Sequence, residues 1–180
     1  ARALEELGAA VSDSDRQARA MLTREDVRRE LVSWWGDRVL TPEGGVDRGR
    51  VAAIVFADSE QRRRLEGLIH PMLRAGREEL KREAWENGIG VVVIDAPLLF
   101  EAGIQGECDE VWFVDTPREV RLGRVLASRG WDEGELARRE AAQMAVEEKR
   151  RRATRVIPND GDEADLRHHA REALEGARGA

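Results

Sequence analysis

Residues 91–103 read VVVIDAPLLFEAG. The unbroken β-branched run from Val91 to Ile94 is the pattern of a strand buried on both faces of a parallel sheet. Asp95 closes that run. Pro97 then introduces Leu98, Leu99 and Phe100 in a stretch with no obvious packing helix. Such a loop is either core or the wall of an apolar ligand pocket.

Outward from this stretch the chain alternates between strands and helices. EVWFVD, residues 110–115, predicts a second strand, and Thr116-Pro117 predicts an N-cap followed by Pro at the first helical position. The helix that follows carries Leu122, Val125 and Leu126 on one face and ends near Gly130. A charged helical hairpin over 132–153, a short strand RVI, the turn PNDG at 158–161 and a closing helix from about Glu163 complete this side.

Upstream, Leu4 and Leu7 sit among good helix formers and Gly8 stands where a helix stops, before the short strand AAVSD at 9–13. A helix follows from about Asp15. Thr23 and Asp26 are spaced as a capping pair for the next helix, which runs through Trp34 and Trp35 to Gly36. LTPEGGVD, residues 40–47, reads as a turn, with Asp47 capping the helix RGRVAAIVF. A long helical stretch from Asp58 to about Glu86 is expected to bend or break at Pro71 and to stop at Asn87-Gly88. Strands separated by helices predict an α/β fold with a parallel sheet, in which ligands bind at the carboxyl ends of the strands.

Composition sets the outer limits. The chain has 180 residues, enough for one domain with an ordinary core, and no internal repeat. Charged residues make up 37% and apolar residues 41%, without the long polar tracts of a disordered chain. A net charge of −6 argues against a general nucleic-acid binder, and no apolar run is long enough to span a membrane. Cys108 is the single cysteine, which excludes an internal disulfide and suits a reducing compartment, by default the cytoplasm. Of the two densest basic stretches, QRRRLEG reads as a solvated helix face, whereas EEKRRRATR fits either a surface or a functional reading. Nothing fixes an oligomeric state.

The strand ends gather acidic and amide groups: Asp13 and Asp15, Asp95, Asp115, then Asn159 and Asp160. Each has a local explanation as a helix cap or turn residue. Asp115 before Thr-Pro is explained by the turn alone, and Asp15 can N-cap the helix RQARAML.

The ordered series LGAAVSDSDRQAR, LIHP, VIDAPLLFEAG, EVWFVDTP, AAQM with EEK, and VIPNDG resembles dephospho-coenzyme A kinase over nearly the whole chain. The resemblance implies a P-loop kinase-like parallel sheet with flanking helices, a helical substrate-binding region over 24–88 and a lid over 130–153, all in a single domain of residues 1–180. It implies ATP- and Mg²⁺-dependent phosphorylation of the ribose 3′-hydroxyl of dephospho-coenzyme A, the last step of coenzyme A biosynthesis. Asp15, the second acid of the family's Asp-x-Asp, takes the part of catalytic base, because the attacking hydroxyl needs a carboxylate to orient it and accept its proton.

The same resemblance places Asp13, His70, Asp95, Pro97, Leu98, Leu99 and Glu101 on the substrate side. It assigns Asp95 to Mg²⁺, directly or through water. Arg124, Lys149 and Asn159 fall on the nucleotide side, Asn159 near the adenine. Arg129 follows Arg124 by five residues where the family more often has four. For His70, at the expected helix bend, packing is the competing role.

One departure is large: no Gly-x-x-x-x-Gly-Lys-Ser/Thr occurs in the 180 residues. The helix over Ala1 to Leu7 has an end but no capped beginning, and it matches the end of the helix that follows the family's phosphate loop. The expectation is therefore a truncated chain lacking about 15–20 residues that form a strand, the loop and a helical turn or two. That strand lies inside the sheet in such kinases, so its loss would leave a pairing gap, and this chain alone is expected to be inactive. Two other readings remain: a different small-molecule P-loop kinase of the nucleoside monophosphate type, and a non-catalytic nucleotide-binding module.

Overall fold

The computed structural model describes residues 1–178; the last two residues of the expected 1–180 span lie outside the described residues. In chain order the elements are α1 (Arg2–Glu6), β1 (Ala10–Asp13), α2 (Ser14–Met21), α3 (Glu25–Trp35), α4 (Arg48–Ala57) and α5 (Ser59–Glu86). Then come β2 (Val92–Asp95), β3 (Trp112–Asp115), α6 (Arg118–Arg129), α7 (Glu133–Ala141), α8 (Val146–Arg152), β4 (Arg155–Pro158) and α9 (Glu163–Arg178). The chain divides into two compact units, Ala10–Asp95 and Ala1–Ala9 with Ala96–Ala180. Each unit holds one two-stranded parallel sheet, β1 with β2 and β3 with β4.

In the unit Ala10–Asp95, strand β1 runs beside β2 with Ala10 opposite Val92 and Asp13 opposite Asp95. The run Val92 to Ile94 is half-buried rather than buried on both faces, because among the described residues β2 has a strand neighbour on one side alone. Helix α5 covers β1 and β2 and also packs on α2 and α4. The core lies among helices: Val27, Leu31 and Trp35, one stripe at i, i+4 and i+8 of α3, meet Val39, Val51 and Ile69. The Trp35 indole N–H donates to Gln61 Oε1 at 2.8 Å, which satisfies the polar edge of an otherwise buried ring.

The helix starts follow from local chemistry, with two corrections. Asp47 caps α4 by accepting from the Gly49 and Arg50 amides, as its sequence position predicts, and Asp58 caps α5 in the same way. Thr23 does not cap α3. Its hydroxyl donates back to the Ala20 carbonyl at 2.8 Å and so closes α2, while Arg24 occupies the cap position without a side-chain bond. Asp26 instead takes two hydrogen bonds from the Arg24 guanidinium, which pulls its carboxyl down to about 2. Pro71 does not break α5, which runs through 28 residues; the missing N–H removes one ladder bond while packing on four other elements holds the rest.

In the second unit, β3 pairs with β4 from Trp112 opposite Arg155 to Asp115 opposite Pro158. Thr154 extends the pairing, accepting from the Val111 amide through its side chain at 2.9 Å. Helix α6 starts at Arg118, one residue later than Thr116-Pro117 predicts, with Pro117 at the cap. Thr116 is buried and its carbonyl accepts from Arg121 Nη1 at 2.7 Å, so it serves the interior rather than the helix end. Asp132 caps α7, and the expected charged hairpin forms as α7 and α8. Glu140 of α7 binds Arg121 of α6 at 2.8 Å. Helix α1 lies on α9, held by Arg167 to Glu6 at 2.8 Å and by an Arg2–Glu163 pair.

Leu31 is fully buried at the centre of the α3 stripe. Leu31→Ala is expected to destabilise the chain by about 2–5 kcal/mol, the usual range for a large-to-small core change. Urea unfolding followed by tryptophan fluorescence measures it, and a loss below about 1 kcal/mol would show that the site collapses freely.

Candidate active site

Strand β1 must become helix α2 with no intervening loop, and Asp13 makes that possible. Its carboxylate accepts from the Arg16 amide at 2.8 Å, capping the helix from the last residue of the strand. Ser12 just before it is fully buried and bonds Gln17 at 2.9 Å. The capping role open to Asp15 is thus filled by Asp13. Asp15 sits exposed in the first turn of α2, and among the described residues its carboxylate has no hydrogen bond or ion pair.

The strand register sets Asp95 across from Asp13, so the carboxyl end of this pair carries Asp13, Asp15 and Asp95 close in sequence or register. Asp95 is exposed. Among the described residues no group of three or more His, Cys, Asp and Glu is placed to hold a metal. A lone carboxylate is the donor set of a Mg²⁺ ion that keeps water and phosphate oxygens as its other ligands, so Asp95 fits that ion and not a protein-enclosed metal. His70 lies exposed on α5 beside buried Ile69; packing does not account for its position.

In the second unit, residues 96–103 form a series of turns that ends at Gly103, whose φ of 71° lies in the left-handed region. Pro97 and Leu98 are exposed and Leu99 is half-buried. Glu101 points at α8: its Oε1 lies 3.0 Å from Lys149 Nζ and accepts from the Met144 amide at 2.7 Å. Burial pushes the Glu101 carboxyl up, but the Met144 amide and the Lys149 ammonium outweigh it and hold the group below the usual carboxylate value.

Lys149 also donates to the Pro97 carbonyl and to Gln143 Oε1, both at 3.0 Å. Its neighbour Arg150 pairs with Asp115 Oδ2 at 3.0 Å. Asp115 therefore has a tertiary partner that its place before Thr-Pro does not reveal.

Arg124 and Asn159, both implied at the nucleotide, come together. Arg124 donates to the Asn159 carbonyl at 2.9 Å and the Gly161 carbonyl at 2.8 Å, and the Asn159 amide donates to the Asp115 carbonyl at 2.8 Å. These residues line a surface pocket with Asp162 and Leu166. Arg129 stacks on Trp131 at 4.7 Å, and Arg139 does so at 4.1 Å. Sequence reading missed Gln143, Met144 and Arg150. Met144 and Arg150 meet Glu101 and Asp115 far along the chain, where no local spacing signals them, while Gln143 meets Lys149 across the α7–α8 turn.

The chain is 34% identical to the crystal structure of TT1252 from Thermus thermophilus, with a TM-score of 0.82 over 97% of this chain and 87% of that one. It also matches the fold of a dephospho-CoA kinase from Campylobacter jejuni, with a TM-score of 0.69 at 24% identity, over 97% of this chain and 88% of that one. The fold class is thus that of the P-loop kinase-like α/β proteins.

A family model described as dephospho-CoA kinase matches residues 1–165. A dephospho-CoA kinase from Geobacter sulfurreducens is 41% identical over 172 residues, covering 95% of this chain and 87% of its own length. One from Moorella thermoacetica is 42% identical over 164 residues, covering 88% and 76%. The chain belongs to the dephospho-CoA kinase family, and so to the phosphotransferases.

The lowered Glu101 carboxyl has a consequence for stability. A depressed carboxyl contributes stability above its unfolded value, near 4.5, and loses it as pH falls through the folded value. Wild type is expected to exceed Glu101→Gln in urea stability by a constant margin above about pH 5, and the margin should shrink below pH 4.5. A margin independent of pH would contradict the ion pair.

Proposed function

We propose that the protein transfers the γ-phosphoryl group of ATP to the ribose 3′-hydroxyl of dephospho-coenzyme A, with Asp15 as the general base. The observation that carries this reading is the division of labour at the head of α2. Asp13 is committed to the helix cap, so Asp15 is left exposed and uncommitted at the carboxyl end of a parallel strand. A carboxylate in that state can orient an acceptor hydroxyl and take its proton as the phosphorus–oxygen bond forms.

Asp95 would hold Mg²⁺ directly or through water, and that ion would supply charge neutralisation on the phosphate oxygens. Asp13 keeps the α2 N-terminus in place behind the base. His70, Pro97, Leu98 and Leu99 belong to the acceptor side of the reading. Arg124, fixed by two backbone carbonyls, and Asn159 belong to the nucleotide side, where the guanidinium offsets negative charge on the phosphates. A net charge of −6 favours a small-molecule partner over nucleic acid, and the lone Cys108 suits a reducing cytoplasm. Among the described residues no helix is long and apolar enough to cross a membrane.

Asp15→Asn in the full-length gene product is expected to lower kcat at least about 100-fold, the range of general-base losses, with KM for dephospho-coenzyme A changed far less. Steady-state ADP release coupled to NADH oxidation measures both constants. Unchanged turnover would reduce Asp15 to a favourable charge at a helix N-terminus.

A further inference from the structure

Lys149 sits in a run of charged residues, EEKRRR, where a lysine is ordinarily a solvated side chain. Here its side chain is only 13% exposed. An ammonium has three N–H donors, and three oxygens surround this one at 3.0 Å: Glu101 Oε1, Gln143 Oε1 and the Pro97 carbonyl. Every donor is filled. Glu101 in turn accepts from the Met144 amide, so one carboxylate and one ammonium join residues 97–101, the turn between α7 and α8, and the middle of α8.

We propose that Glu101 and Lys149 are positioning residues that latch residues 97–101 to the α7–α8 turn and fix the apolar wall formed by Pro97, Leu98 and Leu99, with Lys149 making no contact to the nucleotide. To reach a phosphate, Lys149 would have to abandon three acceptors. It would also leave Glu101, whose side chain is 24% exposed, without its counter-charge. Arg150 reinforces the arrangement from the adjacent position, because its pair with Asp115 anchors α8 to the end of β3 independently of Lys149. The latch is a feature of the fold. Its effect on substrate rests on the reading of residues 96–103 as the acceptor side.

The test uses the full-length gene product as wild type, Glu101→Gln, Lys149→Met and the double variant. Gln keeps an acceptor for the Met144 amide, and Met keeps the apolar stem. Each single variant is expected to raise KM for dephospho-coenzyme A about tenfold, the scale of one lost charge-assisted bond, while KM for ATP stays within about twofold. The double variant should be no worse than the more affected single one, as for two partners in one interaction. A raised KM for ATP in Lys149→Met alone, or additive effects in the double variant, would overturn the proposal by putting Lys149 at the nucleotide.

Hydrogen exchange reads the latch without turnover. The Met144 amide should exchange faster in both single variants while the amides of α3 stay unchanged, and an unchanged Met144 rate in both would overturn the latch. A wild type with no dephospho-coenzyme A-dependent turnover would instead overturn the functional reading, with the exchange result still deciding the latch.

Discussion

The hydrogen bond from the Arg16 amide to the Asp13 carboxylate is the constraint on which the acidic end of β1 depends. A helix that starts at the residue after a strand has no loop in which to satisfy its first N–H groups. Asp13 satisfies one of them from within the strand register that pairs it with Asp95. A cap of this kind contributes about 0.5–2 kcal/mol, modest against the whole fold but decisive for where α2 begins. Because the cap falls on Asp13, Asp15 is carried one half-turn into the helix and faces solvent. A cap on Asp15 would have delayed the helix by two residues and tied up the carboxylate that the proposed chemistry needs.

Charge plays a different part in the other unit. The carboxyl end of β3 and the loop after Asp95 carry carbonyl and carboxylate oxygens, and α8 brings Lys149 and Arg150 to them as consecutive residues. A partly buried ion pair is favourable where each donor is filled, and the Lys149 ammonium meets that condition, whereas Arg150 reaches Asp115 from an exposed position. The remaining arginines of α8, Arg151 and Arg152, pair locally with Glu148 and stay at the surface. A single basic run thus splits into residues that reach other elements, Lys149 and Arg150, and residues that pair within α8, Arg151 and Arg152.

Much of this was legible in the sequence where the controlling interaction is local. Asp47 and Gly36 act within a few residues of themselves, so composition and spacing located the start of α4 and the end of α3. Thr23 and Thr116 are each one position from the observed cap: the exposed Thr23 hydroxyl closes the preceding helix instead, and Thr116 is buried. Pro71 leaves α5 unbroken because a helix packed on four elements holds through one lost ladder bond, which propensity alone cannot see. Lys149 was singled out by family resemblance, but its partner Pro97 is 52 residues away and no periodicity links them. Asp115 reads as turn chemistry for the same reason, since its Arg150 partner is distant in sequence.

The identity of the phosphorylated atom separates the dephospho-coenzyme A reading from that of another small-molecule kinase. Incubating the full-length gene product with ATP, Mg²⁺ and dephospho-coenzyme A and following the mixture by ³¹P NMR should give a new 3′-phosphomonoester in step with ADP. A phosphoryl acceptor found only among nucleoside monophosphates, or ADP formed with no new phosphomonoester, would contradict it.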